Sequence, residues 1–246
     1  MKGLAGRTAL VTGAGTGIGA ASALALGECG ARLVLVGRTA ERLAPVARSL
    51  EERGVEAQVL AADVRSPELL ERLDGLGEPV DVLVNNAAVF ASYGPVEEVP
   101  ASEVAEVLEV DLTAVLRLVR HLLPGMKARG WGRIINLGSV AGSLGAAGQV
   151  AYSTAKAGLG GLTRAVAVEG ASGGVTCNLI EPALVLTERT QAKIDPEIRD
   201  GLVRATPVGR PGEPEEVAHA VVYLASEAGG AVSGATLSVD GGIGLR

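Results

Sequence analysis

The stretch Arg7-Thr8-Ala9-Leu10-Val11-Thr12 runs straight into Gly13-Ala14-Gly15-Thr16-Gly17-Ile18-Gly19. The first six residues read as a short buried strand. The next seven form a glycine-rich turn, and an alanine-rich helical stretch follows over 20–29, closed by Gly30. Strand, glycine loop and helix, in that order, is the context in which a backbone turn binds a phosphate. Gly13, Gly15 and Gly19 let the chain approach a diphosphate, with Thr16 and Ile18 between them. The helix N-terminus adds free N–H groups and partial positive charge. The alternative is a tight turn that binds nothing; the flanking strand and helix favour the nucleotide.

Working outward, 32–36 is a second apolar strand. A dinucleotide fold places a carboxylate near its end to hold the ribose 2′-hydroxyl of NAD. Here Gly37-Arg38-Thr39 stands at that place, and an arginine suits a 2′-phosphate. NADP(H) is therefore expected in preference to NAD(H), the alternative being a solvated charge at a helix start. An amphipathic helix over 40–53 and a third strand over 55–61 lead to Asp63-Val64. Asp63 either caps the helix that begins near Pro67 or touches adenine. The fourth strand, 80–84, ends in Asn85-Asn86-Ala87-Ala88, where paired asparagines either knit strands together or face a ligand. A loop over 90–100 precedes a long helix capped by Ser102, whose apolar positions from Val104 to Val119 recur at helical spacing. Asp111 lies inside that helix, and a buried carboxylate needs partners. The fifth strand, 132–137, delivers Ser139. A small-residue loop over 138–149 then leads to a helix through Glu169. A sixth strand over 175–180, an irregular polar segment over 182–204 expected to act as a mobile lid, a helix over 213–225 and a last strand over 236–239 complete the chain.

Strands alternating with helices predict a Rossmann-type α/β fold: a doubly wound parallel sheet of about seven strands flanked by helices on both faces. No repeat or linker divides it, so one domain over 1–246 is expected. Ligands in such folds sit at the carboxyl ends of the strands. The glycine loop, Asp63, Asn85, Ser139 and Pro182 all lie there.

On a helix, Tyr152 and Lys156 of Tyr152-Ser153-Thr154-Ala155-Lys156 stand four apart on one face. A free phenol titrates near pH 10, and a neighbouring ammonium favours its phenolate. The pair is an acid/base device for a group within hydrogen-bond reach, and Ser139 can give a second hydrogen bond to the same oxygen. The alternative is a surface pair on an ordinary helix.

Composition removes other classes of function. The 246 residues are 48% hydrophobic and 20% charged, with net charge −6 and no basic patch, which argues against nucleic-acid binding. No apolar run approaches a membrane span, and the N-terminus lacks a signal-peptide apolar region. A soluble cytoplasmic protein is expected. Cys29 and Cys177 read as buried fillers, and His121 and His219 are isolated, so no metal is expected.

The chain resembles the classical short-chain dehydrogenase/reductases along essentially all its length. The resemblance is carried by Thr12 to Gly19, Asn85-Asn86-Ala87, Ser139 and Tyr152 to Lys156. Gly132 to Asn136, Gln149 to Tyr152, Val208 to Gly212 and Val239 to Gly242 are similar to the 3-oxoacyl-[acyl-carrier-protein] reductase branch. The resemblance implies that Tyr152 exchanges a proton with the substrate oxygen and that Ser139 orients that oxygen. It implies that Lys156 tunes Tyr152 and holds the nicotinamide ribose. Asp63 and Val64 would contact adenine, Asn85 and Ala87 the neighbouring ribose and loop, and Pro182, Val185 and Thr187 the carboxamide side. It further implies a small-molecule carbonyl or acyl thioester substrate, an acyl-carrier protein as a partner, and a homotetramer.

Several positions depart from the family pattern. Asp111 stands where an asparagine of the proton relay is usual, and its charge can pair with Lys156. Ala88 and Ala183 replace glycines, and Ala171 to Gly174 lacks the basic residues that the carrier-protein branch often has. Three readings follow: an NADPH-dependent carbonyl reductase, an NAD-dependent alcohol or sugar dehydrogenase, and a non-catalytic NADP-binding sensor or scaffold. The expected substrate walls, 89–95, 140–150 and 183–204, are small and aliphatic with few charges, so an uncharged or acyl-type carbonyl is expected.

Overall fold

Short runs of Val, Leu, Ile and Ala form seven strands: Thr8–Thr12 (β1), Arg32–Gly37 (β2), Ala57–Ala61 (β3), Val82–Asn85 (β4), Gly132–Leu137 (β5), Val175–Pro182 (β6) and Thr236–Val239 (β7). The structure, a computed structural model, describes residues 3–89 and 92–245. All seven strands are parallel, in the order β3-β2-β1-β4-β5-β6-β7. β1, β4, β5 and β6 are buried throughout. That is why they read as continuous apolar runs rather than alternating ones.

The helices are Gly17–Glu28 (α1), Ala40–Glu51 (α2), Pro67–Asp74 (α3), Ala101–Leu108 (α4), Ala114–Ala128 (α5), Val140–Leu144 (α6), Val150–Ala171 (α7), Glu188–Lys193 (α8), Pro196–Ala205 (α9) and Pro214–Ala225 (α10). One core, with Leu26, Leu43, Leu50 and Val221, joins α1, α2 and α10 to one face of the sheet. A second, with Leu69, Val115, Leu118, Met126, Leu159 and Val166, joins α3, α5 and α7 to the other. The chain reverses its winding between β1 and β4, so the switch-point crevice opens between the loops that follow these two strands.

Four expectations are corrected. The long helix is not continuous: a π-helical turn over Glu109–Thr113 separates α4 from α5, a feature common at functional sites. Its N-cap is Pro100, with Ser102 already inside the first turn. The 182–204 segment is largely helical rather than irregular. Thr187 and Thr190 form a reciprocal capping box for α8, and Asp195, followed by Pro196, caps α9. These are ordinary helix-start signals. The 138–149 loop likewise contains the short helix α6, with Ser139 as its N-cap. The loop expected over 90–100 begins on two residues outside the described ones.

Candidate active site

The glycine loop is shaped by backbone contacts that exclude side chains. A Cβ at Gly19 would lie 2.2 Å from the Gly13 carbonyl oxygen, and one at Gly13 would lie 2.8 Å from Asn86 Nδ2. Gly13 and Gly17 adopt positive φ, 64° and 54°, which side chains resist. Thr12 ties the two switch-point loops together. Its Oγ1 accepts the N–H groups of Asn86 at 2.9 Å and Ala87 at 3.0 Å. Asn86 Nδ2 donates back to the carbonyls of Thr12 and Gly13. Helix α1 begins without a side-chain cap and with no acid in its first turn, so its N–H groups remain oriented toward an anion.

These features border a cleft of about 610 Å³ at the carboxyl ends of the strands, a size typical of small-ligand sites. Gly13, Gly15, Thr16, Ile18, Arg38, Asp63, Val64, Ala87, Ser139, Tyr152, Lys156, Pro182, Val185 and Thr187 all line it. Gly19 serves from beneath, through its fit against Gly13. Asn85 is a correction. It pairs in register with Asn136 and donates to its Oδ1 at 2.8 Å, so its side chain knits β4 to β5 inside the sheet. Asn86 is the asparagine at the cleft.

At the end of the cleft beside β2 and β3, Arg38 is exposed, and Asp63 does not cap α3. Its carboxylate takes both the Nε and an Nη of Arg65, at 3.0 and 2.8 Å. The Arg65 hydrogen bond holds the Asp63 carboxyl below its usual range. Arg42 joins Arg38 at this end. The sequence signal was there, a second arginine four residues on, but it read as an ordinary helix-surface charge.

At the opposite end α7, which carries Tyr152 and Lys156, is held close to its neighbours by glycine. A Cβ at Gly158 would lie 2.8 Å from Leu112, and one at Gly142 2.8 Å from the Ala157 nitrogen. These close approaches bring α7 against the π turn and against α6. Lys156 is fully buried, and its Nζ donates to the Leu137 carbonyl at 3.0 Å. It stands 3.2 Å from Asp111 Oδ2 and 5.4 Å from the Tyr152 ring centroid. Asp111 Oδ1 accepts the Val89 N–H at 2.8 Å. Burial alone would draw the Lys156 pKa down; Asp111 and Tyr152 more than offset it, and the net shift is upward. Ser139 Oγ accepts the Ala141 N–H at 3.1 Å, which keeps its hydroxyl hydrogen available to the cleft. Arg189, on α8, also lines the cleft and was not singled out in the sequence; inside a segment expected to be irregular, nothing gave it a face.

Cys29 and Cys177 are buried free thiols, and burial pushes the Cys177 thiol up to about 12. Among the described residues no helix is long and apolar enough to cross a membrane.

Comparison with known proteins agrees with this geometry. A family model described as enoyl-(acyl carrier protein) reductase matches residues 13–244. The 3-oxoacyl-[acyl-carrier-protein] reductase of Pseudomonas aeruginosa is 40% identical over 245 residues, covering 98% of each chain. The cis-4-hydroxycyclohexanecarboxylate dehydrogenase of Sinomonas cyclohexanicum is 40% identical over 240 residues, covering 96% of each. The structure of a putative NAD(P)-dependent gluconate 5-dehydrogenase from Beutenbergia cavernae, with bound NADP, superposes with a TM-score of 0.94 at 39% identity, covering 100% of this chain and 99% of that one. Matched along its length in sequence and fold, the chain belongs to the short-chain dehydrogenase/reductase family and is an NAD(P)-dependent oxidoreductase.

Proposed function

We propose that this protein is an NADPH-dependent carbonyl reductase that accepts 3-oxoacyl thioesters, with Tyr152 as the general acid. The observation that carries the reading is the Asp111–Lys156–Tyr152 array, with Asp111 and Lys156 buried and Tyr152 half-buried, at one end of a cleft whose other end carries Arg38 and Arg42. The glycine cradle, with no room for a Cβ at Gly13 or Gly19, fits a dinucleotide diphosphate against α1. Arg38 and Arg42 would hold a 2′-phosphate by charge-assisted hydrogen bonds, Asp63 and Val64 would border adenine, and Val185 and Thr187 the carboxamide. When bound, the nicotinamide supplies the hydride chemistry.

The chain's own groups supply the rest. Ser139 donates to the substrate carbonyl oxygen and fixes its position. Tyr152 gives that oxygen a proton as negative charge develops on it. The Lys156 ammonium steadies the phenolate left behind. Two of its three donors face Leu137 and Asp111, which leaves one for a ribose hydroxyl. The relatives named above include an acyl-carrier-protein reductase, which supports a thioester substrate and an acyl-carrier protein as a partner. A cytoplasmic homotetramer of single-domain chains fits the same reading.

The test is oxidation of NADPH and NADH, side by side, with an acetoacetyl thioester and a panel of simple ketones. Turnover with NADPH well above NADH is expected. A preference for NADH would favour the dehydrogenase alternative. Silence across the panel, with NADPH still bound, would favour the non-catalytic sensor.

A further inference from the structure

Arg189 lies in the cleft, yet the reaction above gives it no task. It is half-buried, whereas its neighbour Glu188 is exposed. Its Nη1 donates to the Ala88 carbonyl at 2.9 Å. The same peptide unit sends its N–H, on Val89, to Asp111. The guanidinium is thus tied through one peptide to the carboxylate that pairs with Lys156. Electrostatically, Asp111 and Tyr152 act on it more strongly than Arg38 and Arg42 do. Its hydrogen bond to the Ala88 carbonyl, one peptide from Asp111, ties it to the reacting end of the cleft. The glycine loop, the seat for a diphosphate, packs at Gly17 against Thr187, two residues before Arg189, so cofactor binding is the rival task that the experiment below separates. The adjoining wall is apolar, built from Leu144, Ile194, Ile198 and Leu202. A wall expected to carry few charges thus includes a cation where it meets the reacting end. A guanidinium presents five donors in a planar fork matched to a carboxylate, and it gains most where water is scarce.

We propose that Arg189 is a specificity-determining residue whose guanidinium takes the carboxylate of the substrate, so that the cleft favours ketones that carry an acid group on an apolar body over their uncharged esters. The proposal rests on the carbonyl-reductase reading of the site.

The experiment uses the full chain and γ- and δ-keto acids, levulinate among them, each beside its methyl ester. It compares wild type, Arg189→Met and Arg189→Lys, measuring kcat/KM with NADPH and binding of each acid to the NADP-loaded protein by calorimetry. Wild type should prefer the acids. Arg189→Met should shrink the acid-over-ester ratio by roughly 10- to 100-fold, the range for losing a charged hydrogen bond, and Arg189→Lys should restore part of it. Equal use of acid and ester by wild type would overturn the proposal and leave the reductase reading standing. So would an Arg189→Met variant that keeps the ratio but loses NADPH affinity, since the guanidinium would then serve the cofactor's diphosphate. Acid binding that depends on Arg189 without turnover of any ketone would overturn the reductase reading and, with it, the role of Arg189 in choosing a substrate. Neither binding nor turnover would overturn both.

Discussion

Asp111 spends one carboxylate oxygen on the Val89 N–H and sets the other beside Lys156. A buried ammonium deprived of its counter-charge is expensive, so Asp111→Ala should cost about 3–5 kcal/mol of stability at neutral pH. Asp111→Asn keeps an acceptor for Val89 and isolates the charge. Lys156 has a folded pKa above its ordinary 10.5. Its pairing therefore stabilises the fold fully below pH 10.5 and loses that contribution as pH rises through the folded value. In Asp111→Asn, burial acts with less opposition and the lysine pKa falls below its ordinary value; the unfolded chain then binds more protons than the folded one, and stability rises with pH through the folded value. Urea midpoints between pH 7 and 10 should stay nearly level for wild type and rise for the variant, as its buried lysine sheds its charge; parallel curves would contradict the pairing. Much of this was legible in residue types: a carboxylate inside an apolar helix asked for a partner, and Lys156 was the cation at hand. Asn85 was not legible, because two adjacent asparagines at a strand end point to opposite sides and the sequence does not say which side is the cleft. Arg42 and Arg189 were missed for a similar reason: an arginine is equally at home on a solvated helix face.

At the scale of elements, the glycine loop and the π turn do the positioning. Gly19→Ala would drive a methyl group into the Gly13 carbonyl, a backbone group that cannot swing aside. Overpacking of this kind costs about 1–3 kcal/mol, and the displaced loop should also weaken NADPH binding. Thermal melts with and without NADPH would show it: a variant matching wild type in both would refute the role given to the loop. Strand–loop–helix order made this element readable, since the glycines recur where the chain turns from β1 into α1. The π turn was hidden. One extra residue per turn leaves the apolar spacing of the 104–119 run nearly intact, and only the packing of Leu112 against Gly158 marks it. The helices α8 and α9 were hidden by polarity: both carry good caps, but α8 is short and polar, and α9 sets Ile198 and Leu202 among charged residues.

Across the whole molecule, the parallel sheet was readable because strands buried on both faces must be continuously apolar, and helices must fill the crossovers. Assembly is a different matter, because an apolar helix face can be core or interface. Val168 on α7 is 80% exposed and Leu116 on α5 is 52% exposed, on helices that share one side of the sheet. Side chains so placed favour association, and sedimentation at micromolar protein should show a tetramer; a lone monomer would refute it. The central claim concerns the array that the sheet delivers to one end of the cleft, and Tyr152→Phe tests it most directly. It removes only the hydroxyl from the proposed proton donor. With NADPH binding measured in parallel, kcat/KM for the acetoacetyl thioester should fall roughly 10²–10⁴-fold while the cofactor still binds. A variant that binds NADPH and retains most of its turnover would contradict the account.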